Sequence, residues 1–335
     1  MSAATPALLT PRLGFLGTGW IGRNRLRALR ASGAATIGLL CDPDAGALSA
    51  AAAEAPDAVL AGSLQDLLSA GPDGIVIATP NALHAEQAIA ALESGVAVFC
   101  QKPLGRTAGE VERILKAARK ADRLLGVDLS YRHTAAAAAL KRAYDSGELG
   151  TVFAAELEFH NAYGPDKAWF RDPAQAGGGC VLDLGVHLVD LALWMLDFPG
   201  VRHVACARYA GGHRIPDTQA AAEDYAEIRL DLETGAMVRI ACSWDLHAGA
   251  DAVIRAAFFG TRGGARLENV AGSFYDFRAE LTRSTSSRLL SSPPDDWGGR
   301  ALVAWALQLA AGGGYDPEAD RLLALHQVLD RCCGR

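Results

Sequence analysis

The sequence predicts an α/β chain in two parts. A doubly wound parallel sheet is expected over residues 1–130, and an α+β domain with a largely antiparallel sheet over residues 131–335. Three observations predict this. Arg12-Leu13-Gly14-Phe15-Leu16 reads as a buried strand that leads through Gly17-x-Gly19-x-x-Gly22 into a helix. From there to Leu129, short apolar runs alternate with helical stretches at the pitch of βα units. After Ala135 the pattern changes to alternating strands broken by glycines. A chain of 335 residues is also long enough for two cores.

The opening turn has a physical reading residue by residue. Gly17 permits a tight turn, Gly19 lets a pyrophosphate approach the backbone, and Gly22 lets helix and strand pack closely. Trp20 and Ile21 begin the helix, whose positive end would face the diphosphate. The helix covers residues 21–31 and closes at Gly33. A second buried strand at 36–40 ends in Cys41-Asp42-Pro43, with Asp42 twenty residues beyond Gly22. A carboxylate there accepts hydrogen bonds from the adenosine ribose hydroxyls and repels a 2′-phosphate, which favours NAD over NADP. The plain alternative for Asp42 is an Asp-Pro turn. Arg23 and Arg25 pull toward NADP, since each is long enough to reach a phosphate.

Helices at 45–55, 64–70, 83–94 and 110–121 then alternate with strands at 58–61, 74–78, 96–100 and 124–129. Thr79-Pro80-Asn81 and Gln101-Lys102-Pro103 each stand at the carboxyl end of a strand. Open parallel sheets bind ligands beyond those ends, so these turns, the glycine turn and Asp42 are expected on one edge.

In the second part, a helix at 135–146 closes on Gly147 and residues 151–160 alternate like an antiparallel strand. A loop at 163–179, rich in glycine, proline and aromatics, leads into a helix at 181–196. Strands follow at 204–209, 226–232, 237–244, 254–259 and 265–269, and 284–296 reads as the least ordered stretch. Helices at 300–310 and 317–332 close the chain, with the option of packing back on the first domain.

Composition narrows the function. Half the residues are hydrophobic, 21% are charged and the formal net charge is −6, which argues against a general nucleic-acid or acidic-membrane binder. Seven cysteines without a CxxC pair do not form a secreted disulfide framework, so reduced thiols and a cytoplasmic location are expected. Residues 1–11 lack the basic and apolar regions of a signal peptide, and longer apolar runs are interrupted, so no membrane span is expected. Cys180, Asp183 and His187 have metal-ligand chemistry, but their spacing fits no standard set and no metal is expected.

Two stretches carry chemistry. Lys102, between a buried strand and a proline, is placed to donate a proton or bind a hydroxyl; its plain alternative is a solvated loop lysine. In Gly177-Gly178-Gly179-Cys180-Val181-Leu182-Asp183-Leu184-Gly185-Val186-His187, the aspartate and histidine are four apart and share a helical face, with Asp190 nearby. A carboxylate beside an imidazole makes an acid/base pair; the alternative is a dipole-favoured aspartate plus a core histidine. Arg132, Tyr163, Trp169 and Arg171, with Tyr131, His133, His160 and Lys167 near them in sequence, combine aromatic faces and long donors that suit a polyhydroxylated ring.

Taken together, these motifs resemble those of the Gfo/Idh/MocA oxidoreductases, the group that includes glucose–fructose oxidoreductase and inositol dehydrogenase. The resemblance rests on GxGxxG, Ala78-Thr79-Pro80-Asn81-x-x-His84, Lys102-Pro103 and Gly177-Gly178-Gly179…Asp183-x-Gly185-x-His187, in the same order over nearly the whole chain. It implies an N-terminal Rossmann domain and a C-terminal sheet domain used for a homodimer or homotetramer. It further implies a catalytic set of Lys102, Asp183 and His187, with Thr79, Pro80, Asn81, His84, Gln101 and Lys102 on the cofactor side and Asp183 and His187 also facing the substrate. Where the family usually has Glu-Lys-Pro, this chain has Gln101-Lys102-Pro103. The activity implied is NAD-dependent hydride transfer at a hydroxyl carbon of a sugar, sugar derivative or cyclitol. An NAD-dependent glycoside hydrolase and a non-enzymatic NAD-binding regulator stand as alternatives on the same fold.

Overall fold

A computed structural model describes residues 10–216 and 221–335. The leader reading of residues 1–11 therefore falls almost wholly outside the described residues. The chain divides into two compact units: one runs to Gly105 and takes in Gly109–Asp128 and Gly298–Asp320, and the other contains Arg106–Ala108, Leu129–Trp297 and Arg321–Arg335.

The first unit is a six-stranded, wholly parallel sheet. Its strands are β1 (Arg12–Leu16), β2 (Thr36–Cys41), β3 (Val59–Leu60), β4 (Gly74–Ile77), β5 (Ala97–Cys100) and β6 (Leu125–Val127), in spatial order β3-β2-β1-β4-β5-β6. Helices α1 (Trp20–Ser32), α2 (Ala45–Glu54), α3 (Leu64–Ser69), α4 (Asn81–Glu93) and α5 (Ala108–Ala121) join them. Local chemistry sets the helix ends. Gly33 closes α1 in the left-handed region, Asp44 caps α2 through the Ala47 N–H, and Ser63 caps α3 through the Asp66 N–H. The strand order reverses between β1 and β4, which is where doubly wound sheets open a crevice for ligands.

The core of this unit gathers Leu13, Phe15, Val76 and Phe99 with Leu302 and Trp305 from a later helix, Arg300–Ala310. The Trp305 ring lies 5.7 Å from Phe99, and strand glycines make room for it. A Cβ at Gly74 or Gly126 would come within 2.6 Å of the indole. Gly126→Ala is therefore expected to overpack the core by about 1–3 kcal/mol, seen as a lower urea midpoint with an unchanged slope.

The second unit is built on a nine-stranded sheet. It comprises β7 (Val152–Asn161), β8 (Val201–Ala210), β9 (His213–Ile215), β10 (Tyr225–Leu232), β11 (Met237–Ser243), β12 (Ala252–Gly260), β13 (Gly264–Asn269), β14 (Phe277–Arg283) and β15 (Ser286–Ser291). The order is β15-β14-β13-β12-β7-β11-β10-β8-β9, antiparallel throughout except for β7 beside β11. Alternation decides the faces: Ala226, Ile228, Leu230 and Leu232 point inward along β10, while Glu227 and Arg229 point out. The outer face is laced with ion pairs such as Arg239–Glu156 and Arg266–Glu280. The inner face carries α6 (Ala135–Asp145) on β13–β15, α8 (Val186–Met195) on β7 and β11, and the helix Arg321–Cys332 on β8.

Several features differ from the sequence reading, among them β14, a seven-residue strand at Phe277–Arg283 where none was expected. β15 occupies part of the stretch expected to be least ordered; it is an edge strand of serine, arginine and leucine, held by backbone pairing to β14 and without a buried face to signal it. β9 is a three-residue edge strand, too short for a periodic signal. The helix expected at 181–196 begins as a π-turn, Val181–Gly185, before α8. The run Pro173–Met195 is long and apolar enough to cross a membrane, but its most apolar stretch is 94% buried inside the fold.

Candidate active site

On the first unit, the glycine turn is built for a close visitor. Gly17 sits at φ +91°, its N–H donates to the Cys41 carbonyl, and a Cβ there would lie 2.5 Å from the Ala78 carbonyl oxygen at the end of β4. A Cβ at Gly22 would collide with the Gly17 carbonyl, so only glycine lets α1 settle on the turn. Gly19 precedes α1 with no side-chain cap and no acidic residue in the first turn, which keeps the positive helix end available to a phosphate. Trp20 is exposed beside it and Ile21 is half-buried.

Asp42 ties β2 to this turn. Its Oδ2 accepts the Thr18 N–H at 2.6 Å and the Thr18 hydroxyl at 3.2 Å, while Oδ1 accepts the Asp44 N–H at 2.8 Å. Oδ2 is filled by its two donors, but Oδ1 keeps a further lone pair, so a ribose hydroxyl fits there without displacing any of them. Of the two arginines weighed against NAD, Arg25 is turned into the core, 2.5 Å from Asp128, and Arg23 lies 3.9 Å from Glu54. A glycine cradle, an uncapped helix start and a strand-end carboxylate together fit a dinucleotide, held by the Gly17 to Gly22 turn and Asp42.

The other two strand ends are braced together. Thr79 Oγ1 donates to Gln87 Oε1 at 2.6 Å, Pro80 precedes α4, and Asn81 begins that helix as a buried residue. His84, one turn into α4, is fully buried, with Nδ1 2.8 Å from the Pro103 carbonyl and Nε2 2.8 Å from the Thr79 carbonyl. Its ring lies between the Thr79 turn and the Lys102-Pro103 turn; burial pushes its pKa down, and the neutral ring donates to one of the two carbonyls. Gln101 is buried at the end of β5, and Lys102 beside it is half-buried.

On the second unit, a buried carboxylate organises the start of the histidine helix. Glu223 Oε1 accepts the N–H groups of Gly179 and Val181, both at 2.9 Å, and the Glu223 carbonyl accepts the Cys180 N–H at 2.8 Å. A Cβ at Gly179 would collide with the Glu223 backbone, which accounts for that glycine. The π-turn then carries Asp183, whose Oδ2 accepts the Trp244 indole N–H at 3.0 Å. π-turns recur at functional sites because they widen the helix at one position. His187, on α8, is buried with its ring centroid 4.8 Å from that of Tyr131. Tyr131 packs in turn on Phe159, Phe277 and Trp297, and burial raises its phenol pKa, which keeps it protonated.

The remaining candidates sort by their partners. Arg132 forks onto the buried Asp190 through Nε at 2.7 Å and a second nitrogen, and lies over the Phe198 ring. Trp169 stacks on Phe170, which meets Trp244 edge-on. Arg171 pairs with Asp245 at 2.8 Å and lies over the same Trp244. Tyr163 instead donates to Asp251 at 2.6 Å. Trp244 thus joins Asp183, Phe170 and Arg171. Sequence reasoning had not singled it out or Glu223; the only signal was an aromatic at the end of an alternating strand.

Comparison with known proteins identifies both domains. Residues 12–129 match the family described as "oxidoreductase family, NAD-binding Rossmann fold", and residues 137–266 match the "GFO/IDH/MocA C-terminal domain". The chain is 27% identical over 214 residues to D-glucoside 3-dehydrogenase of Escherichia coli, a match that spans 60% of each chain. It is 27% identical over 317 residues to inositol 2-dehydrogenase 3 of Saccharopolyspora erythraea, covering 93% of this chain and 88% of that one. Among solved structures, levoglucosan dehydrogenase in complex with NADH and L-sorbose superposes with a TM-score of 0.82 at 19% identity, over 96% of each chain. With both domain families matched in order, the chain belongs to the Gfo/Idh/MocA oxidoreductases, whose N-terminal domain is an NAD-binding Rossmann fold.

Proposed function

We propose that the protein is an NAD-dependent dehydrogenase acting on a hydroxyl carbon of a sugar, sugar derivative or cyclitol. The observation that carries this is the nucleotide edge, where the glycine turn closes against β4 and Asp42 is fixed beside it at the end of β2. The nicotinamide supplies the hydride acceptor. As the hydride leaves for the nicotinamide, His187 takes the hydroxyl proton, oriented by Asp183 and assisted by a hydrogen bond from Lys102 to the substrate oxygen. Trp169, Arg171 and Tyr163 offer the substrate aromatic and donor surfaces, and the names of the sugar and inositol dehydrogenase relatives support that substrate class. A cytoplasmic homodimer or homotetramer, meeting through the outer face of the nine-stranded sheet where Phe153 and Phe259 are exposed, completes the reading.

The test is a panel of sugars and cyclitols offered with NAD or NADP, followed by absorbance of the reduced cofactor. Turnover with NAD is expected on at least one polyol, and a preference for NADP would remove the argument from Asp42. Trp244→Phe keeps an aromatic six-membered ring but removes the pyrrole ring with the N–H that fixes Asp183. A hydrogen bond to a charged group contributes about 1.5–3 kcal/mol, so kcat/KM is expected to fall by roughly 10–100-fold. Because Trp244 is buried, the smaller ring leaves a cavity, so a modest fall in Tm is expected beside the kinetic loss.

A further inference from the structure

We propose that Asp128, at the end of β6, is the positioning carboxylate of the Gln101–Lys102 turn, so that this corner's buried negative charge stands on residue 128 instead of 101. The inference rests on the dehydrogenase reading above. Three side chains meet there. Arg25 Nε and Gln101 Nε2 both donate to Asp128 Oδ2, each at 2.5 Å, and the second Arg25 nitrogen donates to Asn24 Oδ1 at 2.6 Å. All three of Arg25, Gln101 and Asp128 are more than nine-tenths buried. Their backbones are equally fixed: the Gln101 N–H donates to the Ile77 carbonyl and the Asp128 N–H to the Cys100 carbonyl, both in register with the sheet.

The chemistry of residue 101 follows from this geometry. A buried ion pair is tolerated only when further hydrogen bonds satisfy its charges, and here the Gln101 amide supplies one. A glutamate at 101 would put a second carboxylate within hydrogen-bond distance of Asp128, and one of the two would have to hold a proton. With glutamine, Arg25 and Asp128 neutralise each other and the amide is held in one orientation. Residue 101 directly precedes Lys102, so what fixes the glutamine fixes the start of that turn. Asp128 Oδ1 is buried without a hydrogen-bond donor, so the carboxylate has capacity for rearranged donors.

A mutant cycle on the full-length protein tests this, using Gln101→Glu, Asp128→Asn and the double variant. Each is measured by thermal unfolding with and without NADH, by KM for NAD against kcat, and by the pH profile of kcat. Each single change is expected to raise KM for NAD about tenfold or more and to shrink the NADH-induced rise in Tm. Gln101→Glu should also add an acid limb to the pH profile. The double variant swaps donor and acceptor while keeping net charge, and is expected to return to within about threefold of wild type. Additive losses in the double variant would overturn the proposal. So would an Asp128→Asn variant that loses Tm yet keeps NADH binding, KM and pH profile, because that is a purely structural role. A wild type without any NADH response would overturn the dehydrogenase reading and this proposal with it. A responding wild type with an additive cycle would overturn this proposal alone.

Discussion

His187→Asn is expected to lower kcat/KM by about 10²–10⁴ while leaving NADH binding close to wild type, because positioned general acid–base groups contribute on that scale. The side chain is buried against Tyr131 on a helix whose start is fixed by Glu223, so asparagine removes the titrating group without opening the surface. Lys102→Met should lose a comparable factor, with part of it in KM for NAD, since Lys102 stands on the nucleotide edge beside Gln101. If both single variants kept wild-type kcat/KM on the true substrate, the catalytic assignment would be wrong. Steady-state kinetics and NADH fluorescence titration are sufficient to decide it.

The N-terminal unit was legible because its signals are local. Gly17-x-Gly19-x-x-Gly22 is a contiguous motif and Asp42 stands at the end of the next strand. Both can be read in sequence although Gly17 packs on Ala78 and Asp42 accepts from Thr18; the strands are apolar runs buried on both faces. The second unit was legible where alternation is strong, as along β10, and silent where it fails, as in the polar edge strand β15. Residue partners were harder to read than residue roles. Arg25 looked like a phosphate ligand by position, yet it pairs with Asp128, which lies 103 residues away in sequence. Trp244 reaches Asp183 across 61 residues and Glu223 reaches Gly179 across 44. No periodicity reports such pairings, since they depend on sheet order and register and not on spacing.

Glu223→Ala is expected to destabilise the second unit by about 2–6 kcal/mol, because it strands two buried N–H groups, of Gly179 and Val181, at about 1–3 kcal/mol each. Glu223→Gln separates hydrogen bonding from charge. Burial holds the Glu223 carboxyl above its ordinary value of 4.5, against the opposing pull of the Val181 and Gly179 N–H groups. A folded pKa above the unfolded one means that the folded state binds more protons between the two values. The stability contributed is then fully present below pH 4.5 and is lost as pH rises through the folded pKa. Asp190, also raised by burial, gives a slope of the same sign, so only the difference between wild type and variant isolates Glu223. Glutamine keeps an oxygen for the two N–H groups and has no charge to lose. Its Tm should therefore fall less steeply than that of wild type as pH rises above 4.5, with Glu223→Ala lower than both at every pH. Parallel Tm profiles for wild type and Glu223→Gln would show that the carboxyl titrates alike in both states. The same pair separates stability from catalysis: if Glu223 acts by holding the helix start, Glu223→Gln keeps His187 in place and most of the activity, and Glu223→Ala loses both together.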